Sequence, residues 1–243
     1  MRIVTQTPLL REAAAILEPI REEVVVIGAL AVQIALDGHE VALTPTRDID
    51  ACISTESVDR VVAHLEENGL RQSDLAHERS FTWVKDDVKV QLLRPFHPFP
   101  KGAASGLPVN NMVGELSNHR WLVGFEDKPA HGRFWAATPA ALVGLKEEAF
   151  GRTRPSGEPV DRDFSDVALL LDKLGEQIAS EVGSASPMRG RVLRAARRLD
   201  KDETAVIAAS RELVRSGHEE TQVVAENAVR RAARSALRLI GGD

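Results

Sequence analysis

The sequence predicts an α+β fold, in which a small mixed β-sheet flanked by helices is followed by a mainly helical C-terminal region. Short β-branched or alternating runs typical of strands, such as Val24–Ile27 and Asp48–Ile53, lie in the N-terminal half. Beyond Gly175 the chain is helical in character, apart from residues 183–187. The composition shifts near residues 111–137, and we place an N-terminal core at 1–125 and the helical part at 126–243.

Size and composition indicate an ordinary globular protein. The 243 residues suffice for one large domain or two small ones. Hydrophobic residues make up 43% of the chain and charged residues 28%. The net charge of −5 argues against a protein that coats nucleic acid by bulk electrostatic attraction. It does not exclude a local basic groove.

Cysteine content and hydropathy give an expected location. Cys52 is the only cysteine, so neither an intrachain disulfide nor a cysteine zinc cluster can form. The N-terminus lacks the pattern of a signal peptide. Apolar stretches such as Val24–Ile27 and 167–171 are too short to cross a bilayer. We therefore expect a soluble cytoplasmic protein that does not associate with membranes.

The first elements form a strand–turn–helix unit. Residues 9–17 predict a short helix, and the β-branched run Val24–Ile27 predicts a strand buried on both faces. Gly28 follows this strand directly. Residues 29–36 are good helix formers and end at an Asp-Gly pair, a helix C-cap signal.

The second unit repeats a strand and a helix after a loop. Residues 39–46 predict a loop, because Pro45 excludes a continuous helix. Asp48–Ile53 alternates polar and apolar residues, as a half-buried strand does. The helix that follows, over 58–67, has Ser54 or Ser57 as its cap.

The remaining elements are shorter strands and then helices. Strands at 81–84 and 88–93 flank a hairpin turn, and strands at 119–125 and 133–137 follow a Pro- and Gly-rich loop over 95–109. Thr138 caps a helix that carries Lys146. A polar loop over 152–159 leads to a helix over 161–174.

The acidic pair Asp48 and Asp50 is the strongest chemical signal. Side chains separated by one residue on a strand lie on the same face, so both carboxylates can share a divalent cation. Mg²⁺ prefers one or two carboxylates together with substrate phosphates, and it relieves the repulsion between the acids. Taken alone, two solvated acids on an edge strand explain the pair better. Gly28 adds a turn where backbone N–H groups can approach a phosphate.

The order of these motifs resembles the nucleotidyltransferase superfamily, and within it the AbiEii toxin family of type IV toxin–antitoxin systems. The resemblance covers about residues 24–171. It begins with the glycine turn Gly28-Ala29 and continues with Thr46-Arg47-Asp48-Ile49-Asp50. Thr44 departs from the family, which usually has Arg or Lys there. The later blocks are the helix with Lys146 and the segment Arg162-Asp163-Phe164-Ser165-Asp166.

The resemblance implies a role for each matching residue. Asp48 and Asp50 bind Mg²⁺, and with Lys146, Asp163 and Asp166 they form the catalytic set. The residues expected to hold the nucleotide are Gly28, Ala29, Thr46, Arg47 and Arg162.

The residues of the later blocks, and the basic stretch beyond them, can also be explained by purely structural roles. Lys146 could extend along its helix surface, as lysines commonly do. Asp163 and Asp166 could stabilise a helix N-terminus, or Asp166 could pair with Arg162. The basic stretch 189–198 could contact RNA, or it could be a solvated face balanced by nearby acids.

Gln91 stands where many of these enzymes have a third carboxylate that acts as general base. Glutamine cannot take a proton at neutral pH. Either Asp163 serves as the base, or catalysis relies on metal and positioning, or the protein binds nucleotide without turnover.

The expected function is therefore Mg²⁺-dependent transfer of a nucleotide from an NTP to an acceptor. The acceptor is tRNA if the protein is a toxin, and a cognate antitoxin would then be its partner. The alternatives are a small-molecule nucleotidyltransferase of the antibiotic-modifying type and a non-catalytic nucleotide-binding protein.

Overall fold

The computed structural model describes residues 1–5, 7–41, 46–53, 55–75, 81–93, 116, 118–125, 132–149, 162–183 and 186–241. These residues belong to two compact units. A sheet unit comprises Met1–Asp37 with Pro45–Thr138, and a helical unit comprises Gly38–Thr44 with Pro139–Asp243. The observed division after Thr138 differs from the sequence-based one at 125, because the last strand belongs with the sheet.

The sheet unit contains eight strands and three α-helices in its described part. In chain order they are β1 (Arg2–Val4), α1 (Pro8–Leu17), β2 (Val24–Ile27), α2 (Gly28–Leu36), β3 (Asp48–Ile53), α3 (Val58–Glu67), β4 (Arg71–Gln72), β5 (Thr82–Lys85), β6 (Val88–Leu93), β7 (Arg120–Phe125) and β8 (Phe134–Ala137). Two 3₁₀-helices, Glu18–Glu23 and Thr55–Ser57, precede β2 and α3.

The strands form one mixed sheet in the order β1-β7-β8-β2-β3-β6-β5-β4. Three pairs are parallel, namely β1 with β7, β8 with β2, and β3 with β6. The other four pairs are antiparallel. The predicted mixed α+β fold is thereby confirmed, but eight strands make the sheet larger than expected from the sequence.

The central strands show why these sequences form strands. All four residues of β2 are buried, as a β-branched run between two neighbouring strands requires. Along β3, Ile49 is buried while Asp48 and Asp50 are partly exposed. Further along β3, Cys52 is buried. Its burial, and after that the negative charge of Asp50, raises the pKa of the Cys52 thiol to about 12.

The helical unit contains five α-helices in its described part. They are α4 (Pro139–Ala149), α5 (Arg162–Glu181), α6 (Pro187–Lys201), α7 (Glu203–Arg215) and α8 (Gln222–Ile240). The last helix packs against α5, α6 and α7. Side chains of Ser186, Asp202 and Thr221 accept hydrogen bonds from backbone N–H groups at the starts of α6, α7 and α8.

Two details of the helical unit differ from the sequence-based expectation. Thr138 does not cap α4, since its buried hydroxyl has no hydrogen-bond partner among the described residues. Instead, the N–H of Ala140 donates to a carboxylate oxygen of Glu181 at 3.0 Å. The helix expected to end at residue 174 continues to Glu181, with a kink where Leu174 has φ −126° and ψ 18°.

Some expectations fall on residues that the structure does not describe. These are the loops expected over 95–109 and 152–159, the departure at Thr44 and the cap at Ser54. Among the helices that are described, none is both long and apolar enough to cross a membrane.

Candidate functional site

The turn between β2 and α2 brings backbone into contact with Asp50. Gly28 begins α2 with φ +66°, a left-handed conformation that glycine adopts without strain. The antiparallel register places Ile27 opposite Asp50. A Cβ atom on Gly28 would lie only 2.9 Å from Cγ and 3.0 Å from Cβ of Asp50. Only glycine therefore allows this approach, which sets the Asp50 carboxylate beside the N-terminus of α2.

The acidic pair lies on one face of β3, with defined neighbours on β6. Asp48 and Asp50 are separated by one residue and are both partly exposed. In the parallel register, Asp48 is opposite Lys89 and Asp50 is opposite Gln91. Neighbouring side chains of paired strands share a face, so Lys89 and Gln91 lie beside the acids.

Lys89 is a candidate site residue that the sequence patterns did not predict. Its placement depends on the register of β3 with β6, two strands distant in sequence, and no local pattern indicates that pairing. A cation next to the acids reduces their mutual repulsion, and it adds a positive charge where phosphates would bind.

Thr46 and Arg47 differ in how they relate to the acids. The backbone N–H of Asp48 donates to the hydroxyl of Thr46 at 3.2 Å, so Thr46 helps to fix the start of β3. The Arg47 carbonyl accepts from the N–H of Lys89 at 3.3 Å. The Arg47 side chain is 78% exposed and lies 3.8 Å from the exposed Asp87. Such an exposed pair contributes little to stability and leaves the guanidinium accessible.

The donor set on β3 is chemically suited to magnesium. Two carboxylates on one strand face, next to a helix N-terminus that favours negative charge, supply the hard oxygen ligands that Mg²⁺ requires. Within the described ranges, no group of three or more His, Cys, Asp or Glu residues could hold a metal ion. The remaining ligands of a metal at Asp48 and Asp50 would be water and substrate phosphate.

A second cluster, in the helical unit, is built around Lys146. Its Nζ lies 2.7 Å from a carboxylate oxygen of Asp163 and 2.7 Å from one of Asp166. The Lys146 side chain is 8% exposed, and those of Asp163 and Asp166 are 21% and 25% exposed. The two acids are three residues apart on α5 and so share one face. The structure thus brings Lys146, Asp163 and Asp166 together as a charged contact between α4 and α5.

Lys146 stays charged throughout the physiological pH range. Burial by itself lowers the pKa of this ammonium, but the charges of Asp166 and Asp163 and their hydrogen bonds outweigh burial, so the pKa lies above its usual value. The resulting stabilisation is fully present below the unfolded-state pKa of about 10.4, and it is lost only as the pH rises through the higher folded-state pKa.

Several arginines of the basic helix α6 form contacts with other residues of the helical unit. Arg194 and Arg198 each lie 3.6 Å from the carboxylate of Glu147, which is 5% exposed. Arg189 donates to the carbonyl of Ile240 at 2.6 Å, near the end of α8. These contacts favour a structural role for much of the stretch that the sequence offered as an RNA-binding surface.

Two further residues complete the expected site. Ala29 is partly exposed in the first turn of α2, next to Gly28. Arg162 is the first residue of α5, and its side chain lies outside the described part of the structure, as does any pairing with Asp166.

Comparison with known proteins adds no family assignment. No protein-family model, no curated protein and no solved structure matches this chain.

We predict that Gly28→Ala is more destabilising than Gly38→Ala. Both glycines have positive φ, which costs an L-residue about 1–2 kcal/mol. Of these two positions, only Gly28 brings the new Cβ against another side chain, whereas at Gly38 no atom of the described residues lies within 4 Å. Overpacking against Asp50 adds about 1 kcal/mol or more. Urea unfolding of the two variants measures the difference, and equal midpoints would contradict the close approach of Gly28 to Asp50.

We predict that Lys146→Met lowers the free energy of unfolding by about 2–4 kcal/mol, because two largely buried carboxylates lose their counter-charge. Lys173→Met is the matched control. Lys173 pairs with Asp172 at 2.8 Å, but both side chains are more than a third exposed, so its loss costs less than about 1 kcal/mol. Urea unfolding at pH 7.5 compares them. Similar midpoints would show that the Lys146 cluster does not hold α4 on α5.

Proposed function

We propose that this protein is a metal-dependent nucleotidyltransferase that moves a nucleotide from an NTP to an acceptor. The observation that supports this most is the contact between the Gly28 turn and Asp50. It places an anion-favouring helix N-terminus beside Asp50, the carboxylate to which the proposal assigns Mg²⁺, and nucleotide transfer needs both a phosphate site and a metal. The order of motifs along the chain, which resembles the AbiEii family, supports the same conclusion.

Each candidate site residue of the sheet unit has a defined role in this proposal. The Gly28-Ala29 turn binds NTP phosphates through backbone N–H groups and the dipole of α2. Asp48 and Asp50 hold Mg²⁺, which supplies charge neutralisation when it is bound. Lys89 contributes a further positive charge to the phosphates. Thr46 keeps Asp48 in place, and the exposed Arg47 can contact the nucleotide.

The transfer step is a substitution at the α-phosphorus of the NTP. An acceptor oxygen forms a bond to this phosphorus, the bond to the pyrophosphate oxygen breaks, and the acceptor loses its proton to a base. Positioning and electrostatic stabilisation account for most of the rate in phosphoryl-transfer chemistry of this kind.

Lys146, Asp163 and Asp166 enter the proposal as a catalytic set with one preferred division of labour. Both carboxylates contact the ammonium of Lys146, which supports Asp163 and Asp166 as the groups that orient it. Lys146 would then neutralise charge on the leaving pyrophosphate. Asp163 is the candidate base, and Arg162 precedes it at the start of α5 as a candidate nucleotide ligand.

Gln91 favours a second candidate function, namely nucleotide binding without turnover. It lies opposite Asp50, where a third carboxylate would complete the acid set. An amide cannot accept a proton at neutral pH, so a protein with this residue could retain NTP binding and lack transfer.

We predict that Asp48→Asn and Asp50→Asn each weaken Mg²⁺-dependent NTP binding by about tenfold or more, because each removes one charged metal ligand. Asp59→Asn, on an exposed position of α3, is the control with the same charge change. Equilibrium binding of a fluorescent NTP analogue with Mg²⁺ and with EDTA provides the measurement. Undiminished binding by both site variants would refute the proposal.

The acceptor class is tested with the same proteins. Each α-³²P-labelled NTP is incubated with Mg²⁺ and with total tRNA, total protein or aminoglycoside and lincosamide acceptors. Label on tRNA, together with growth arrest that a co-expressed antitoxin relieves, identifies a toxin. Label on a small molecule, together with raised drug tolerance, identifies a resistance enzyme. NTP binding without label in any fraction supports the non-catalytic alternative.

We predict that Gln91→Glu increases the thermal stabilisation that Mg²⁺ confers. Without metal, a third carboxylate beside Asp50 adds repulsion and lowers the melting temperature. With Mg²⁺, the same carboxylate becomes a ligand or a base, so the metal-induced shift exceeds that of the wild type. A base restored in this way raises the transfer rate, by roughly 10²-fold if it acts fully.

Gln91→Leu serves as the control for the loss of the amide without a gain in charge. Differential scanning fluorimetry with and without Mg²⁺ measures the shift for both variants. A Gln91→Glu shift no larger than that of the wild type would show that Gln91 does not face the metal site.

A further inference from the structure

We propose that a cavity in the helical unit is a binding site for a small organic cation, an amine or guanidinium on a short apolar chain. The cavity shares no residue with the Gly28, Asp48 and Asp50 site, and the proposal does not depend on nucleotidyl transfer. It rests on the shape of the cavity, on its apolar floor and on the charge at its mouth.

The cavity has a volume of about 120 Å³ and lies among α5, α7, α8, the connection between α7 and α8, and residues 40–41. Four of its lining residues are apolar and at most 5% exposed, namely Ala168, Leu213, Val229 and Ala232. Benzene fits a cavity of about 150 Å³, so the cavity as a whole can accept a molecule with an apolar chain of about four carbon atoms.

The mouth of the cavity carries excess negative charge. Its ionisable residues are Glu40, Asp172, Glu219 and Lys173, together with His218. Asp172 and Lys173 pair with each other at 2.8 Å, so they largely cancel. Within the described part of the chain, Glu40 and Glu219 form no ion pair and no side-chain hydrogen bond. Glu40 and Glu219 therefore give the lining two negative charges that pair with no cation of the described residues.

This combination selects one class of ligand. A carboxylate- or phosphate-containing molecule would be repelled at the mouth. A hard metal ion would need six or more oxygen ligands, whereas the floor offers none. A neutral apolar molecule would fit the floor but would gain nothing from Glu40 and Glu219. An organic cation suits both the apolar lining and the charged mouth. Its apolar chain contacts the apolar residues, and its charged group stays near the carboxylates of Glu40 and Glu219.

The probe for this site is n-butylammonium, which has five non-hydrogen atoms. Titration of the full chain, followed by ligand-observed NMR, measures its dissociation constant against those of n-butanol and butyrate. We expect saturable binding at about 1–10 mM, a range reasonable for so small a ligand. Butanol and butyrate should bind at least about fivefold more weakly. No saturable binding of butylammonium up to 50 mM (about five times the upper expectation) would overturn the proposal.

Substitutions test the contribution of the charges and the contribution of the cavity space separately. Glu40→Gln with Glu219→Gln should weaken butylammonium binding about fivefold or more, since each removes one charge contact. Glu176→Gln, an exposed acid on α5 outside the cavity, is the control and should leave binding unchanged. Ala228→Phe, at a half-exposed wall position, should abolish binding by filling the space.

Three outcomes would reject the site. These are an unchanged dissociation constant in the double glutamine variant, equal binding of butanol and butylammonium by the wild type, and undiminished binding in Ala228→Phe. Circular dichroism of each variant establishes that it is folded, and the charge variants are at exposed or half-exposed positions where substitution costs little stability.

Discussion

The antiparallel pairing of β2 with β3 is the constraint on which the candidate site depends. It places Ile27 opposite Asp50, so that the turn at Gly28 and the acidic pair lie at the same end of the sheet. Side chains alternate along a strand, and a shift of one residue would turn Asp48 and Asp50 to the opposite face. The fully buried β2, held between β8 and β3, makes such a shift costly because its neighbours on both sides are specified.

The helical unit depends on a different kind of interaction. Lys146 has two carboxylate partners, and the three groups are largely removed from water. A buried ion cluster contributes little net stability compared with apolar packing, because desolvation offsets the attraction. Its geometry is specific, however, since α4 and α5 can satisfy these charges in few arrangements. Glu147 extends this pattern toward α6 through Arg194 and Arg198.

The sequence was informative wherever one local pattern determined the structure. The run at Val24–Ile27, the turn at Gly28 and the alternation at Asp48–Ile53 all correspond to the observed elements. In the same way, the spacing of Asp48 and Asp50 was enough to place both on one face. The short strands Arg2–Val4 and Arg71–Gln72 were missed, since two or three residues carry no usable period.

Features that require partners distant in sequence could not be predicted in this way. Lys89 was identified as a candidate site residue only through the register between β3 and β6. The N–H of Ala140 bonds to Glu181, 41 residues away, and no local signal distinguished this arrangement from a cap by Thr138. Likewise, α5 passes through Leu174 as a kinked helix that packs against α8, where a Cβ atom on Gly175 would lie 3.5 Å from the side chain of Leu239.

The burial of Cys52 has a practical consequence for work on this protein. Its thiol is the only one in the chain, is 1% exposed and has a pKa of about 12, so the reactive thiolate is scarce at neutral pH. A cysteine introduced at an exposed position, such as Glu176 or Asp59, can therefore carry a fluorophore without removal of the native residue. The wild-type background is in this sense already suited to site-selective spectroscopy.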